Sequence, residues 1–454
     1  MSEVDAAPRP DAAPVAAPEP TPAVAQPQNP ASPHPRKPWL PPFWLLGLLV
    51  GLTALRLAVA PLIGLTEDEA YYRLWSLDPQ LGYYDHAPLV AWVIAAGRWA
   101  VGDTELGVRL IGPIALLIGS LAVWRSIAII ADARAANLGT IWFNILPIIA
   151  AGALVVTPDT TAVLFWGLAF WALLERLQSG HRRWWLAVGL FAGLGLLSKY
   201  TVLFLGPGLL LAVLLHRDLR ADLKRWEIWV GGVLAILLFA PVIGWNALHD
   251  FVSFEKQFGR AARATGFDPR FLPEWLGASL ALFHPLVVAF AVLGVARLLR
   301  TGRTALANPL IAVLATALPL LGYLVYHALF TRVQLNWASP LVGTLVILAA
   351  PAAISALDGV WGQLRRLAVP IGAAFTVLLY LWAISEADLL EGERDPLNQT
   401  RGWTAFSQEL DALAAREGVA WIGTMSYATT AQLAFAARTN ANLRPILQLN
   451  ERLR

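Results

Sequence analysis

"PLVAWVIAAGRWAV" occupies residues 88–101, and whether it crosses a membrane decides how the rest of the chain is threaded. A helix of this length reaches only about 21 Å, short of the roughly 30 Å of a hydrocarbon core. Arg98 also lies inside it. Length and charge together suit a helix lying in the interface better than a span. The setting is apolar throughout. The 454 residues are 57% hydrophobic and 14% charged, with a mean hydropathy of +0.57, whereas a soluble chain keeps about a quarter of its residues charged. This is the composition of a mainly α, polytopic membrane protein, and 20 tryptophans suit its two water–lipid boundaries.

Apolar stretches of spanning length recur near 40–62, 107–131, 137–156, 160–176, 184–198, 201–215, 227–246, 272–296, 306–329, 337–356 and 367–385. Those at 184–198 and 201–215 are short, so snorkelling or interfacial residues are expected beside them. With 88–101 left out, one side of the membrane receives Arg125, Arg134, Arg176, Arg182, Arg183, Arg217, Arg220, Lys224, Arg225, Arg297, Arg300, Arg303, Arg365 and Arg366. The other side receives Lys199, Lys256, Arg260, Arg263, Arg270 and Arg332. Arg36 and Lys37 fall on the richer side, as the positive-inside rule requires; counting 88–101 as a span would put them opposite. The pattern therefore predicts about eleven transmembrane helices, a cytoplasmic N-terminus, a C-terminus outside, and interfacial helices in the first outer loop.

Three regions are expected: a disordered cytoplasmic tail at 1–38, a transmembrane domain at 39–385 and a small outer domain at 386–454. The tail is Ala/Pro-rich and shows no cleavable signal. In the last region a helical pattern at 403–416, a strand-like "VAWIG" at 419–423, a helix at 427–437 and "PILQL" at 445–449 suggest a small α/β unit that leans on the membrane domain. The absence of cysteine excludes disulfides, thiolate metal sites and cysteine nucleophiles, and a net charge of +3 is too small and dispersed for nucleic-acid binding.

Candidate chemistry collects in the outer loops. "LTEDEAYYRLWSLDPQLGYYDHAPL" (65–89) holds Asp68, Glu69, Asp85 and His86 among tyrosines and leucines. Its 68–78 part reads as a short helix on the interface, and Pro88 opens the next one. Acids at such a boundary are either hydrated loop residues or, with raised pKa values, general bases. "VVTPDTTAVLFW" sets Asp159 near the same surface, where Thr157 or Asp159 could also cap the following helix. Lys199 in "LLSKYTVLF" either snorkels or neutralises a lipid-linked phosphate. In 245–271, Lys256, Arg260 and Arg263 share a helix face. Such a face rests on anionic lipid or, preferred here, clamps a phosphate, with His249 nearby. "FTRVQLNWASPL" offers Arg332, Gln334 and Asn336 to a sugar or phosphate, or to a helix cap.

Assembled, "DEAYY" (68–72), "GYYDHAPLVAW" (82–92), "TPD" (157–159), "GLLSKY" (195–200), "PVIGWN" with its basic helix (241–260) and "NWASP" (336–340) resemble a C-type glycosyltransferase of the family 39 class. These polytopic enzymes are related to dolichyl-phosphate-mannose protein mannosyltransferases and to lipid A aminoarabinose transferases. The resemblance runs over about residues 40–450, in order, and implies Asp68 as the catalytic base with Glu69 beside it. Relatives often carry an acid–base pair before "PPL"; Asp85 and His86 stand there. Ala87 replaces the first proline, and His86 stands where some relatives use a lysine, a weaker anion partner when neutral.

The expected activity is inverting glycosyl transfer from a polyprenyl-phosphate sugar on the outer face of a cell inner membrane. Lys199, Arg260, His249 and Lys256 would hold the donor phosphate. Asp159, Asp85, His86 and Asn336 would contact substrate, and the acids with His86 could also gather round a divalent metal ion. The acceptor could be lipid A, another glycolipid, a polysaccharide or a protein. A nucleotide-sugar donor is disfavoured, since no Gly-rich nucleotide loop has a convincing context. A secondary transporter for an anionic solute, or a lipid flippase, is the alternative. No internal repeat supports the transporter, and most candidate charges cluster in outer loops, Arg56 within the first span being the exception.

Overall fold

A computed structural model of the chain describes residues 38–262, 266–356, 358–385, 395–439 and 444–449, with the backbone alone at 260–262 and 439. All of the expected tail at 1–38 except Pro38 lies outside the described residues.

Seven helices among the described residues are long and apolar enough to cross a membrane. They comprise α1 (Phe43–Val59) with its 3-10 turn to Leu62, α4 (Glu105–Arg109) continued by α5 (Ile111–Ile130), α8 (Pro158–Ser179), α11 (Trp226–Leu248), α15 (Pro309–His327), α16 (Val342–Ile354) with the 3-10 helix Leu335–Leu341 before it, and α17 (Gly359–Ile384). The segment in question, α3 (Leu89–Val101), is a short apolar helix opened by Pro88 and closed by Gly102 at φ 89°. Leu205–Leu215 forms α10 and Trp184–Ser198 forms α9, both shorter than a span. Glycine lets α9 and α11 approach closely: a Cβ on Gly189 would lie 2.0 Å from the Gly231 carbonyl oxygen.

Two expected straight spans are broken, and proline is the reason in both. Residues 272–296 form α13 (Phe271–Leu282) and α14 (Pro285–Arg300), bent by 104°. The residue before a proline is disfavoured in the helical region, and His284 takes φ 63° there. Counted together, the pair makes an eighth span. Residues 137–156 divide into α6 (Ala133–Ile145) and α7 (Pro147–Gly152), because Leu146 is extended ahead of Pro147.

The interior is filled by large side chains such as Trp142, Trp166, Phe170 and Phe290. Two ion pairs join buried charges of the described residues. Arg125 of α5 meets Glu175 of α8 at 2.6 Å, and Arg176 meets Asp222 at 2.8 Å. Burial alone would raise the Asp222 carboxyl, but hydrogen bonds from Arg176 and Trp185 outweigh it and hold the group below its ordinary range. These pairs sit at the end of α8 remote from Asp159. Arg56 has no carboxylate among its hydrogen-bond partners within the described residues; it donates to Asn144 Oδ1 (3.0 Å) and to the Tyr380 hydroxyl (3.3 Å).

At the other end lie α2 (Glu67–Trp75), α12 (Val252–Ala262), and a C-terminal group of α18 (Trp403–Arg416), β1 (Ile422–Thr424), α19 (Tyr427–Ala436) and β2 (Ile446–Gln448). The two strands pair in parallel, Gly423 opposite Leu447, and α19 packs on α2 through Phe435 and Ala431 against Tyr71 and Tyr72.

Candidate active site

Thr66 caps α2. Its hydroxyl accepts from the Glu69 amide at 3.2 Å, while the Glu69 carboxylate accepts from the Thr66 amide at 3.0 Å. Glu69 is completely buried. Arg109 of α4 donates to both of its oxygens (Nε to Oε1 2.7 Å, Nη2 to Oε2 2.6 Å), and the Val156 amide adds a bond of 3.0 Å. The same guanidinium reaches the carbonyls of Ala60, Ile63 and Gly64. Glu69 was expected beside the base as a second catalytic acid; its oxygens are instead spent on fixing the 60–69 segment. Asp68, its neighbour, is exposed and accepts from the Tyr427 hydroxyl at 3.3 Å.

The Tyr72 phenol feels the charge of three carboxylates from three segments. Burial pushes the Tyr72 hydroxyl well above its ordinary value of 10, and the charges of Asp68, Asp159 and Asp85 raise it further, in that order. Asp85 is buried and accepts from Tyr71 at 3.2 Å, and its backbone carbonyl accepts from Gln257 of α12. The His86 ring stands edge-on to Tyr72, 6.1 Å between centroids. The turn carrying both is held by Tyr83, stacked on Trp75 at 4.5 Å and donating to its carbonyl. Burial raises the Tyr83 hydroxyl to about 12, against a smaller opposing pull from the Gln80 amide.

Asp159 lies in the first turn of α8, and Thr157, not Asp159, is the cap. Its carboxylate is surrounded by donors: Lys199 Nζ at 2.7 and 2.8 Å, Asn336 at 2.8 Å and Ser339 at 2.8 Å. Asn336 and Ser339 reach one carboxylate because they lie on the 3-10 helix Leu335–Leu341, where residues three apart eclipse. Ser339 was missed in the sequence although it stands within "NWASP".

Of the expected phosphate ligands, Lys256 sits 5.2 Å over the Tyr84 ring. His249 stacks on Trp245 at 4.0 Å, with Nδ1 2.7 Å from that residue's carbonyl. The side chains of Arg260 and Arg263 lie outside the described residues. Among the described residues no three of His, Asp and Glu come together to hold a metal ion, and the oxygens of Asp159 are engaged by Lys199, Asn336 and Ser339. On the other side of Asp159 a cavity of about 820 Å³ opens between α5, α7, α8 and α13. Its walls are mostly apolar (Leu116, Phe143, Ile149, Trp275), and Asp159, Asn336, Glu274 and Arg332 also line it.

Beneath the site Asp103 binds Arg73 (3.0 Å) and Arg98 (2.7 Å). Burial would raise its carboxyl from 3.8, but the two guanidiniums lower it to about 2. A depressed folded-state pKa gives stability that is complete above 3.8 and is lost as pH falls towards 2. Asp103→Asn should therefore be less stable than wild type at neutral pH, with the difference closing between those values. Tryptophan-fluorescence melts across that window check it.

Residues 85–245 match the family described as dolichyl-phosphate-mannose-protein mannosyltransferase. The lipid A galacturonosyltransferase RgtD of Rhizobium johnstonii is 26% identical over 377 residues, covering 82% of this chain and 77% of that protein. The fold is similar to that of ArnT from Cupriavidus metallidurans bound to undecaprenyl phosphate (TM-score 0.62, 16% identity, 89% of this chain and 90% of that one). It is also similar to the oligosaccharyltransferase AglB from Archaeoglobus fulgidus (TM-score 0.54, 13% identity, 89% and 64%). The chain is a membrane glycosyltransferase, similar over most of its length to members of the C type. The transporter and flippase readings give way to an enzyme.

Proposed function

We propose that the protein moves a sugar from a polyprenyl-phosphate donor to a hydroxyl of a cell-envelope acceptor of the lipid A class, on the periplasmic face of the inner membrane. The N-terminus is then cytoplasmic and the C-terminus periplasmic, as the distribution of Lys and Arg supports. The observation that carries the proposal is the linkage of Asp68 to Asp85 through the packed rings of Tyr427 and Tyr71, which donate to the two carboxylates, beside the helix whose Gln257 reaches the Asp85 carbonyl and whose Lys256 lies over Tyr84.

Asp68, exposed at the first turn of α2, takes the proton of the acceptor hydroxyl. The freed oxygen attacks the anomeric carbon, the bond from that carbon to the phosphate oxygen breaks, and the electron pair leaves with the polyprenyl phosphate. Charge grows on that phosphate during the step, so fixed cations help most in the transition state. Lys256 supplies one, with His249 and, from the sequence, Arg260 as further phosphate contacts. The Lys199 ammonium, 2.7 Å from Asp159, acts by holding Asp159, Asn336 and Ser339 as one polar wall for the sugar. One base and no covalent intermediate give inversion.

Purified protein in vesicles with a labelled polyprenyl-phosphate sugar and envelope glycolipid should release polyprenyl phosphate and label the glycolipid. Label transferred only from a nucleotide sugar would overturn the donor assignment. In the same assay Lys256→Ala should lower kcat/KM for the donor by about tenfold, the worth of one charge-assisted contact to phosphate.

A further inference from the structure

The C-terminal group does more than rest on the membrane helices: four of its contacts fall on residues 64–68, the segment that presents Asp68. Gln432 of α19, buried, donates to the Leu65 carbonyl at 2.7 Å and to the Gln399 carbonyl at 3.1 Å. Gln399 Oε1 accepts from the Glu67 amide at 3.2 Å. The Thr400 carbonyl oxygen lies against Gly64 so closely that a Cβ there would sit 2.1 Å from it. Tyr427, the first residue of α19, then donates to Asp68 Oδ1 at 3.3 Å, and its ring lies 4.7 Å from that of Tyr71.

We infer that Tyr427 is a positioning residue for Asp68, and that the C-terminal group completes the active site by fixing the direction in which that carboxylate points. The inference rests on Asp68 being the base. A carboxylate at the exposed start of a helix has several rotamers, and a phenol held by its own packing selects among them. The geometry separates this role from simple support. Support comes from Gln432, Gln399 and the α19–α2 packing, all of which act on backbone or apolar surface, whereas the Tyr427 hydroxyl meets the functional carboxylate itself. The bond is long for O–H···O, as such contacts often are without substrate.

Tyr427→Phe keeps the ring on Tyr71 and removes only the hydroxyl. It should lower kcat by about tenfold, the worth of one hydrogen bond to a charged group, with donor KM and melting temperature as in wild type. A kcat equal to wild type, or a loss that follows a lowered melting temperature and a raised KM, would overturn the inference. Asp68→Asn run alongside tells the two proposals apart. If it leaves the rate intact, the base assignment falls. If it abolishes transfer while Tyr427→Phe does not slow it, only the role of Tyr427 falls.

Discussion

Asp68→Asn is expected to cut the rate of sugar transfer by between about a hundred- and ten-thousandfold, the range that a positioned general base contributes. The amide fills the same space and still accepts from Tyr427, but it has no affinity for the acceptor's proton. Because Asp68 is exposed, its burial contributes little to folding, and the melting temperature should stay close to that of wild type. Donor KM should change little as well, since the proposed phosphate contacts lie on α12 and not on α2. Near-normal turnover by purified Asp68→Asn protein would remove the residue from catalysis.

Glu69→Gln, one position along, should do the opposite. The Arg109 guanidinium is buried, and Glu69 neutralises it through two bonds of 2.6 and 2.7 Å. Taking away one member of a buried pair leaves the other charge uncompensated, at a cost of about 3–5 kcal/mol. That is a large part of the 5–15 kcal/mol or so by which a typical domain is stable. Arg109 keeps its three carbonyl partners, so the fold should persist with a much lower melting temperature. Activity should fall through disorder of the 60–69 segment. An unchanged melt would show that the pair is energetically neutral. Two adjacent acids thus separate in experiment: one governs rate, the other stability.

The contrast also marks what could be read from the chain alone. Length, a local property of the sequence, sets α3 apart from the long spans, but it sets α9 and α10 apart equally, and the sequence pattern counts those two as spans. Asp159, Lys199 and Asn336 could be named one by one as polar residues at span ends, and the structure brings them onto a single carboxylate. Their roles were not legible, since Lys199 is committed to Asp159 by an approach of elements forty residues apart. Arg109 carried no local signal at all; only the fold brings it to Glu69. Tyr427 is 359 positions from Asp68, and although its stretch "SYATTAQLAF" resembles the outer tails of related enzymes, nothing local ties it to that carboxylate. The breaks at Pro147 and Pro285 were legible in principle. Hydropathy hides them, because it counts apolar residues and ignores the missing amide and the restricted residue before it. Other prolines, such as Pro241 in α11 and Pro319 in α15, lie within helices that continue through them.

Transfer in one displacement, with Asp68 the sole base and the lipid phosphate leaving directly, has a stereochemical signature. Proton NMR of the glycosylated product gives the anomeric configuration from its coupling constant, to be compared with that of the polyprenyl-phosphate donor. A product with the configuration opposite to the donor's is the expected result. A product that retains it would require a second displacement and a covalent or equivalent intermediate, and would contradict the mechanism.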